Sequence, residues 1–197
     1  MKLNDPVATA LIAADALERG GHRYALMGGL LMAAYGEPRE TKDADIAVLE
    51  LTPELVKAAI EAAGMPCAVT KSSAPGAVVG GFWISRVALL GDDVLGVNVL
   101  DLVRPRSDRY AAAALARSRP GPLRGREIQV LTPEDFVIFK ALSTRDRDTE
   151  DAASVLRRLG NMLDLGLIDH EVEALAAEIP DWDVRGRWAT IRARAGR

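Results

Sequence analysis

The sequence predicts an α+β fold, a mixed β-sheet flanked by helices with a helical C-terminal part. Three observations carry that expectation. Over roughly the first two-thirds of the 197 residues, short apolar runs of strand character alternate with helix-patterned segments. The last third carries helical spacing alone. A strand–turn–helix–strand unit, Met27 to Val48, lies near the front and organises the rest. The expected division is an α/β core over residues 1–131 and a helical region over residues 132–197 packed on it, with no long linker between them.

Each element has its own local reason. Asp5-Pro6 opens the first helix, because Asp5 caps free amides and Pro6 suits the first turn. Val7, Leu11, Ala14 and Leu17 recur at helical spacing, and Gly20-Gly21 ends the run. Tyr24-Ala25-Leu26-Met27 is a short strand. Gly28-Gly29 breaks it, and Leu30 to Tyr35 is expected to be a helix starting at that turn. Thr52-Pro53-Glu54 opens a second helix, Leu55 to Ala63, closed by Gly64. Ser72 to Gly76 is expected to be a loop. Phe82 to Leu90 and Val97 to Val103 are expected to be strands of a hairpin around Gly91-Asp92-Asp93.

Arg109 to Arg117 is an alanine-rich helix. Ser118 to Gly125, with two prolines and two glycines, is expected to be a loop, followed by a short strand over Glu127 to Leu131. Thr132-Pro133-Glu134-Asp135 is a further helix start, similar to a capping box with Asp in place of Glu or Gln. Its helix carries Phe136, Val137, Phe139, Ala141 and Leu142, and Thr144 to Arg147 interrupts it. Helices over Asp148 to Leu159, Asp169 to Ala177 and Trp182 to Ala195 complete the chain.

Composition narrows the function classes. Hydrophobic residues make up 49% and charged residues 27%, the balance of an ordinary globular protein able to bury a sizeable core. A formal charge of −3 argues against coating nucleic acid by bulk charge, while leaving room for a local basic patch. Cys67 is the single cysteine, so no disulfide forms within the chain, and a reducing cytoplasm is the expected setting. His22 and His170 are far apart, which disfavours a Cys/His zinc site. The N-terminal run lacks a signal-peptide pattern, being interrupted by Asp15, Glu18 and Arg19, and no stretch approaches the ~18 apolar residues of a membrane helix. No membrane partner is expected.

The chemistry-bearing residues cluster on the organising unit. A helix start behind Gly28-Gly29 offers free N–H groups to phosphate. Asp43 and Asp45 alternate on one strand and so point from the same face. Two adjacent carboxylates repel, and a divalent cation relieves the repulsion; Mg²⁺ is usually held by one or two carboxylates together with substrate phosphates. The competing reading is a glycine turn beside an exposed acidic strand end. Asp101, set among apolar residues in Val97 to Val103, needs a cation or strong donors, which makes it the candidate third metal ligand. The alternative is a strand-end aspartate paired with Arg104 or Arg106.

Thr41 and Lys42, just before the aspartates, are candidates for touching phosphate, whereas Arg39 is expected on a solvated loop. Lys140 lies on a helix among apolar neighbours and is a candidate to aim its ammonium at nucleotide phosphate or the acidic cluster. Asp148 and Asp151 suit a helix start, where acidic groups cap and meet the dipole. Arg104, Arg106 and Arg109 form one basic cluster. Arg117, Arg119, Arg124 and Arg126 form another, and Arg185 to Arg197 a third; such clusters are usually solvated surface but would suit RNA if they lined the site. Trp83, Trp182 and Trp188 are expected to be packing residues.

Gly28-Gly29, Asp43-Ala44-Asp45 and Asp101-Leu102-Val103 resemble the active-site pattern of the polymerase-β-like nucleotidyltransferase superfamily. The downstream run Leu131 to Lys140, followed by Arg145-Asp146-Arg147-Asp148, is similar to the Lys…Arg-Asp-x-x-Asp region of small bacterial nucleotidyltransferases related to abortive-infection and toxin–antitoxin toxins, the AbiEii-like group. Ala44 is smaller than the family's usual residue, and Gly-Gly replaces the more common Gly-Ser, which removes a hydroxyl contact to phosphate.

The resemblance implies a polymerase-β-like fold and transfer of NMP from an NTP to a hydroxyl, with pyrophosphate leaving. It implies two Mg²⁺ ions on Asp43, Asp45 and Asp101, with Asp101 also drawing the acceptor's proton. Gly28 and Gly29 would hold the triphosphate, and Lys140 and Asp148 would serve the site. The implied acceptors are an RNA 3′ end, a protein hydroxyl or a small molecule such as an antibiotic, and the toxin-type likeness adds a cognate antitoxin. An inert nucleotide- or partner-binding module and a metal-dependent phosphohydrolase are the alternatives.

Overall fold

The computed structural model describes residues 5–71, 78–90 and 97–197. In chain order its elements are α1 (Pro6–Arg19), β1 (Ala25–Met27), a 3₁₀ turn (Gly28–Leu31), α2 (Met32–Tyr35), β2 (Asp43–Ala47), α3 (Pro53–Ala62), β3 (Cys67–Lys71), β4 (Val78–Val79), β5 (Phe82–Leu90), β6 (Val97–Pro105) and α4 (Asp108–Arg117). They continue with β7 (Arg119–Leu123), β8 (Arg126–Val130), α5 (Pro133–Leu142), α6 (Asp146–Leu159), α7 (Leu165–Glu178) and α8 (Val184–Arg194). The strands form one mixed sheet in the order β3-β5-β6-β2-β1-β8-β7, with β4 paired to β5. The expected loop Ser72 to Gly76 and turn Gly91-Asp92-Asp93 lie outside the described residues.

The sheet has two unlike faces because strand side chains alternate. Ala44, Ile46, Leu100, Leu102, Val87 and Leu89 are buried, and α1 and α3 pack together over β2, β6, β3 and β5. The residues between them (Asp43, Asp45, Asp101, Arg86) belong to the opposite face. There Phe139 of α5 meets Phe82 of β5 at 5.4 Å between ring centroids and Tyr110 of α4 at 5.9 Å. The helices α5 to α8 pack on one another beside this face. Helix starts follow the expected chemistry: Asp5, Thr52 and Thr132 each accept an amide hydrogen bond from three residues on.

Several local expectations need correction. The segment Ser118 to Gly125 is largely strand, not loop: β7 pairs antiparallel with β8 from Arg119↔Val130 to Leu123↔Arg126. It is an edge strand, which is where proline is tolerated in a sheet. The helix expected over Leu30 to Tyr35 is a 3₁₀ turn followed by only four α-helical residues, so it offers little of a dipole. Helix α6 begins at Asp146 rather than Asp148, which puts Asp148 inside the first turn. The capping box is one-sided, since the Asp135 side chain accepts from the Thr132 hydroxyl, Tyr110 and Arg117 instead of returning to the cap amide. Strands β3 and β4 carry no strong pattern and escape the sequence reading.

Candidate active site

Strand pairing brings the three aspartates together. β2 runs parallel to β6 with Asp45 opposite Asp101, and antiparallel to β1 with Asp45 opposite Met27. Residues directly opposite share a face, and Asp43 joins them two positions along. One carboxylate oxygen from each of Asp43, Asp45 and Asp101 lies within 4.8 Å of the others. Such a set of hard oxygen donors suits a divalent cation, Mg²⁺ among them.

The glycine turn is fitted to this cluster. Gly28 has φ +73°, and a Cβ there would sit 2.0 Å from Asp45 Oδ2. A Cβ on Gly29 would lie 2.8 Å from the Thr41 Cβ. Both positions therefore need glycine for close approach, the first also for its backbone angle. The Thr41 hydroxyl donates to Asp43 Oδ1 at 3.0 Å, which helps to fix that carboxylate.

The charges are unevenly compensated. Asp45 is half-buried beside the Gly28 bend, and its carboxyl is pushed up to about 7, by burial first and then by Asp43 and Asp101. Asp101 is buried and gripped by Arg86, whose Nε and terminal nitrogen donate to the two carboxylate oxygens at 2.7 and 2.8 Å. Arg86 stands directly opposite Asp101 on β5. The expected alternatives Arg104 and Arg106 pair instead with Asp108 and Asp181.

Lys140 is buried, and its ammonium is bonded to Asp148 and to Asp151, the latter at 3.0 Å. Its direct bonds thus go to acidic groups of α6, while its charge also bears on Asp45 of β2. Asp148 also accepts from Ser143 and Arg145. Burial pushes the Asp148 carboxyl up, but Lys140, Ser143 and Arg145 outweigh it and hold it at about 2. Arg39 is not on a solvated loop: its guanidinium donates to Asp151 from Nε and a terminal nitrogen, the shorter contact 2.9 Å. Sequence reasoning missed both Arg86 and this role of Arg39, because each partner lies on a different element.

Two cavities meet at Asp45. One, of about 420 Å³, is polar and is lined by Gly29, Thr41, Lys42, Asp43, Asp45 and the α6 approach, with Lys42 and Arg147 exposed at its rim. The other, of about 190 Å³, holds Gly28, Asp45, Arg86 and Asp101 against an apolar wall. Lys140, Arg145 and Asp148 border both. Two of the tryptophans are engaged in packing, Trp188 being buried and Trp182 donating to the Ala141 carbonyl, while Trp83 is half-buried on β5. Most arginines of the three basic clusters are ion-paired within the chain, among them Arg109, Arg117, Arg124, Arg126, Arg185 and Arg194.

No protein-family model matches the chain, and no curated protein matches its sequence. Solved structures do. An antigenic nucleotidyltransferase-like protein from Paracoccidioides brasiliensis superposes with a TM-score of 0.50 at 16% identity, covering 95% of this chain and 94% of that one. JHP933 from Helicobacter pylori gives 0.52 at 12% identity, over 99% and 92%. The antibiotic-resistance factor ANT(2'')-Ia gives 0.53 at 15% identity, over 96% of each chain. The fold is that of the nucleotidyltransferases. ANT(2'')-Ia is also known in complex with adenylyl-2''-tobramycin, and that structure matches at a TM-score of 0.50 and 14% identity, over 95% and 97%. Among the described residues, no helix is long and apolar enough to cross a membrane.

Proposed function

We propose that this protein is a metal-dependent nucleotidyltransferase, moving NMP from an NTP to a hydroxyl acceptor and releasing pyrophosphate. The observation that carries the reading is the convergence of Asp43, Asp45 and Asp101 beside the Gly28-Gly29 bend. Residues 1–131 would form the transfer core, with residues 132–197 closing the nucleotide side through Lys140, Arg145 and Asp148. Two Mg²⁺ ions held by the three carboxylates would neutralise phosphate charge and stabilise the attacking and leaving oxygens.

The remaining work falls to the chain itself. The larger cavity, with Lys42 and Arg147 at its rim and the Gly29 backbone in its wall, suits a triphosphate. Asp101 faces only the smaller cavity, so the acceptor hydroxyl would enter there and give up its proton to that carboxylate. The new bond joins the acceptor oxygen to the α-phosphorus, and the bond to pyrophosphate breaks. Positioning and charge neutralisation supply most of the rate in such transfers. The internal pairing of the arginine clusters gives an RNA acceptor little support. The Lys140…Asp148 motif behind the toxin-type likeness is engaged in an internal ion-pair network, which adds no support for an antitoxin partner.

Incubation with Mg²⁺ and each α-labelled NTP tests the reading. The expected result is metal-dependent nucleotide binding that Asp43→Asn plus Asp45→Asn abolishes, and release of pyrophosphate once an acceptor is present. Binding unchanged in the double variant would point to the inert module, and release of inorganic phosphate to a hydrolase.

A further inference from the structure

We infer that Arg39 is a positioning residue of the acidic cluster: held by Asp151 of α6, it sets the loop over residues 36–42 and, through Thr41, the carboxylate of Asp43. The inference rests on the reading of Asp43 as a metal ligand and gives α6 a part in that site.

Residues 36–42 form neither helix nor strand, yet they lead directly into β2 and its two aspartates. A segment without a ladder of its own takes its shape from what it is tied to. One face of α6 supplies the ties, at residues 151, 154 and 158, a spacing that stacks side chains along one side of a helix. The Arg158 guanidinium donates to the Gly36 carbonyl at 2.6 Å. The Glu37 amide donates to the Ser154 hydroxyl at 3.2 Å, and that hydroxyl donates in turn to the Asp151 carbonyl at 2.8 Å. Arg39 completes the row by gripping the Asp151 carboxylate, which is buried and also bonded to Lys140.

Arg39 carries the tie across to the site. Its remaining terminal nitrogen donates to the Glu40 carbonyl at 3.1 Å and would stand 3.3 Å from a Cβ on Gly29. The guanidinium is planar and rigid, so one stiff group spans α6, the loop and the glycine bend. Two residues on, Thr41 packs against Gly29, and its hydroxyl bonds to Asp43 at 3.0 Å to the carboxylate and 3.2 Å to the carbonyl. Arg39 lines the polar cavity, but its Nε and both terminal nitrogens already have protein partners. Its place is therefore that of a support for Thr41 and Asp43. Groups that orient a metal's ligands matter to the metal, since losing one typically costs ~10–100-fold in affinity.

The test uses the full chain with two readings: Mn²⁺ affinity by electron paramagnetic resonance, and the ¹³C resonance of the Asp43 carboxyl in metal-free protein. Thr41→Val should weaken Mn²⁺ binding about tenfold. Arg39→Met should weaken it about fivefold, and the double variant no more than Thr41→Val alone, because both act along one path. In metal-free protein each single variant should shift the Asp43 resonance in the same direction. Losses that multiply in the double variant overturn the inference. So does a lowered urea midpoint in Arg39→Met with Mn²⁺ affinity and the Asp43 resonance unchanged, the result a merely structural pair would give. Loss of α,β-methylene ATP binding with both readings unchanged overturns it too, and makes Arg39 a phosphate ligand. Should Arg39→Met fail to fold, Arg39→Lys keeps a cation on Asp151 without the bond to Glu40, and the same readings apply. Failure of the underlying reading looks different: Mn²⁺ affinity would then survive Asp43→Asn plus Asp45→Asn, while the metal-free Asp43 resonance in the Arg39 variants still decides for or against the positioning role.

Discussion

Arg86 and Asp101 stand opposite each other across the β5–β6 pair, joined by two hydrogen bonds of 2.7 and 2.8 Å. The guanidinium thus occupies the charge of the very carboxylate that a second metal ion would use. Replacing it, as in Arg86→Gln, should tighten Mn²⁺ binding by up to about fivefold, the size expected when a partly exposed competing cation is removed. Electron paramagnetic resonance of added Mn²⁺ measures this without reference to turnover. Unchanged or weaker binding would mean that Arg86 orients Asp101 for the metal instead of competing with it.

Metal-free protein should lose stability as pH rises from about 4 to 7. Asp45 is raised to about 7 in the fold against an ordinary value of 3.8, through burial and then its two acidic neighbours. Between those values the folded state binds the proton and the unfolded state does not, so each step up in pH favours unfolding. Above about 7 the effect levels off. Melting temperatures recorded in chelator across this range should fall, and Asp45→Asn should flatten the curve. Asp148, held at about 2, works with the opposite sign, but only below its ordinary value of 3.8. The two windows therefore do not overlap.

Lys140→Met should destabilise the fold by about 2–3 kcal/mol, because it removes the cation shared by the buried carboxylates Asp148 and Asp151 while Arg145 and Arg39 still pair with them. Urea denaturation reads the loss. Adding Asp148→Asn and Asp151→Asn should recover much of it. A Lys140→Met protein of normal stability that fails to bind nucleotide would instead make Lys140 a phosphate ligand.

Gly28→Ala should damage the metal site more than the fold. The added methyl would meet Asp45 Oδ2 at 2.0 Å, and the positive φ adds strain of ~1–3 kcal/mol. The carboxylate has to move, so Mn²⁺ affinity should drop by an order of magnitude or more while the circular dichroism spectrum persists. Gly64→Ala, also at positive φ but with open space around it, is the control for backbone strain alone.

Much of this was legible from residue order. The Gly-Gly bend and alternating aspartates fix a local geometry that needs no knowledge of distant partners, and the Thr-Pro and Asp-Pro starts mark helices by short-range bonds. Asp101 could be nominated because an apolar strand rarely tolerates an uncompensated carboxylate. Its partner could not, since Arg86 lies opposite only once β5 and β6 pair in register. Lys140 was singled out, yet its bonds to Asp148 and Asp151 depend on how α5 and α6 pack. Arg39 was misjudged for the same reason: its neighbours in sequence are polar, whereas its partner is 112 residues away. In β7 the prolines suggested a loop because turn chemistry and edge-strand chemistry use the same residue.

Those prolines also bear on how the molecule behaves among its own copies. Pro120 and Pro122 sit two apart on the last strand, opposite Gln129 and Glu127, and neither has an amide hydrogen to offer. A backbone sliding alongside finds two successive gaps where it needs donors, so fibril-like stacking is discouraged along that margin. Crowded solutions should stay clear for as long as that margin is the one exposed.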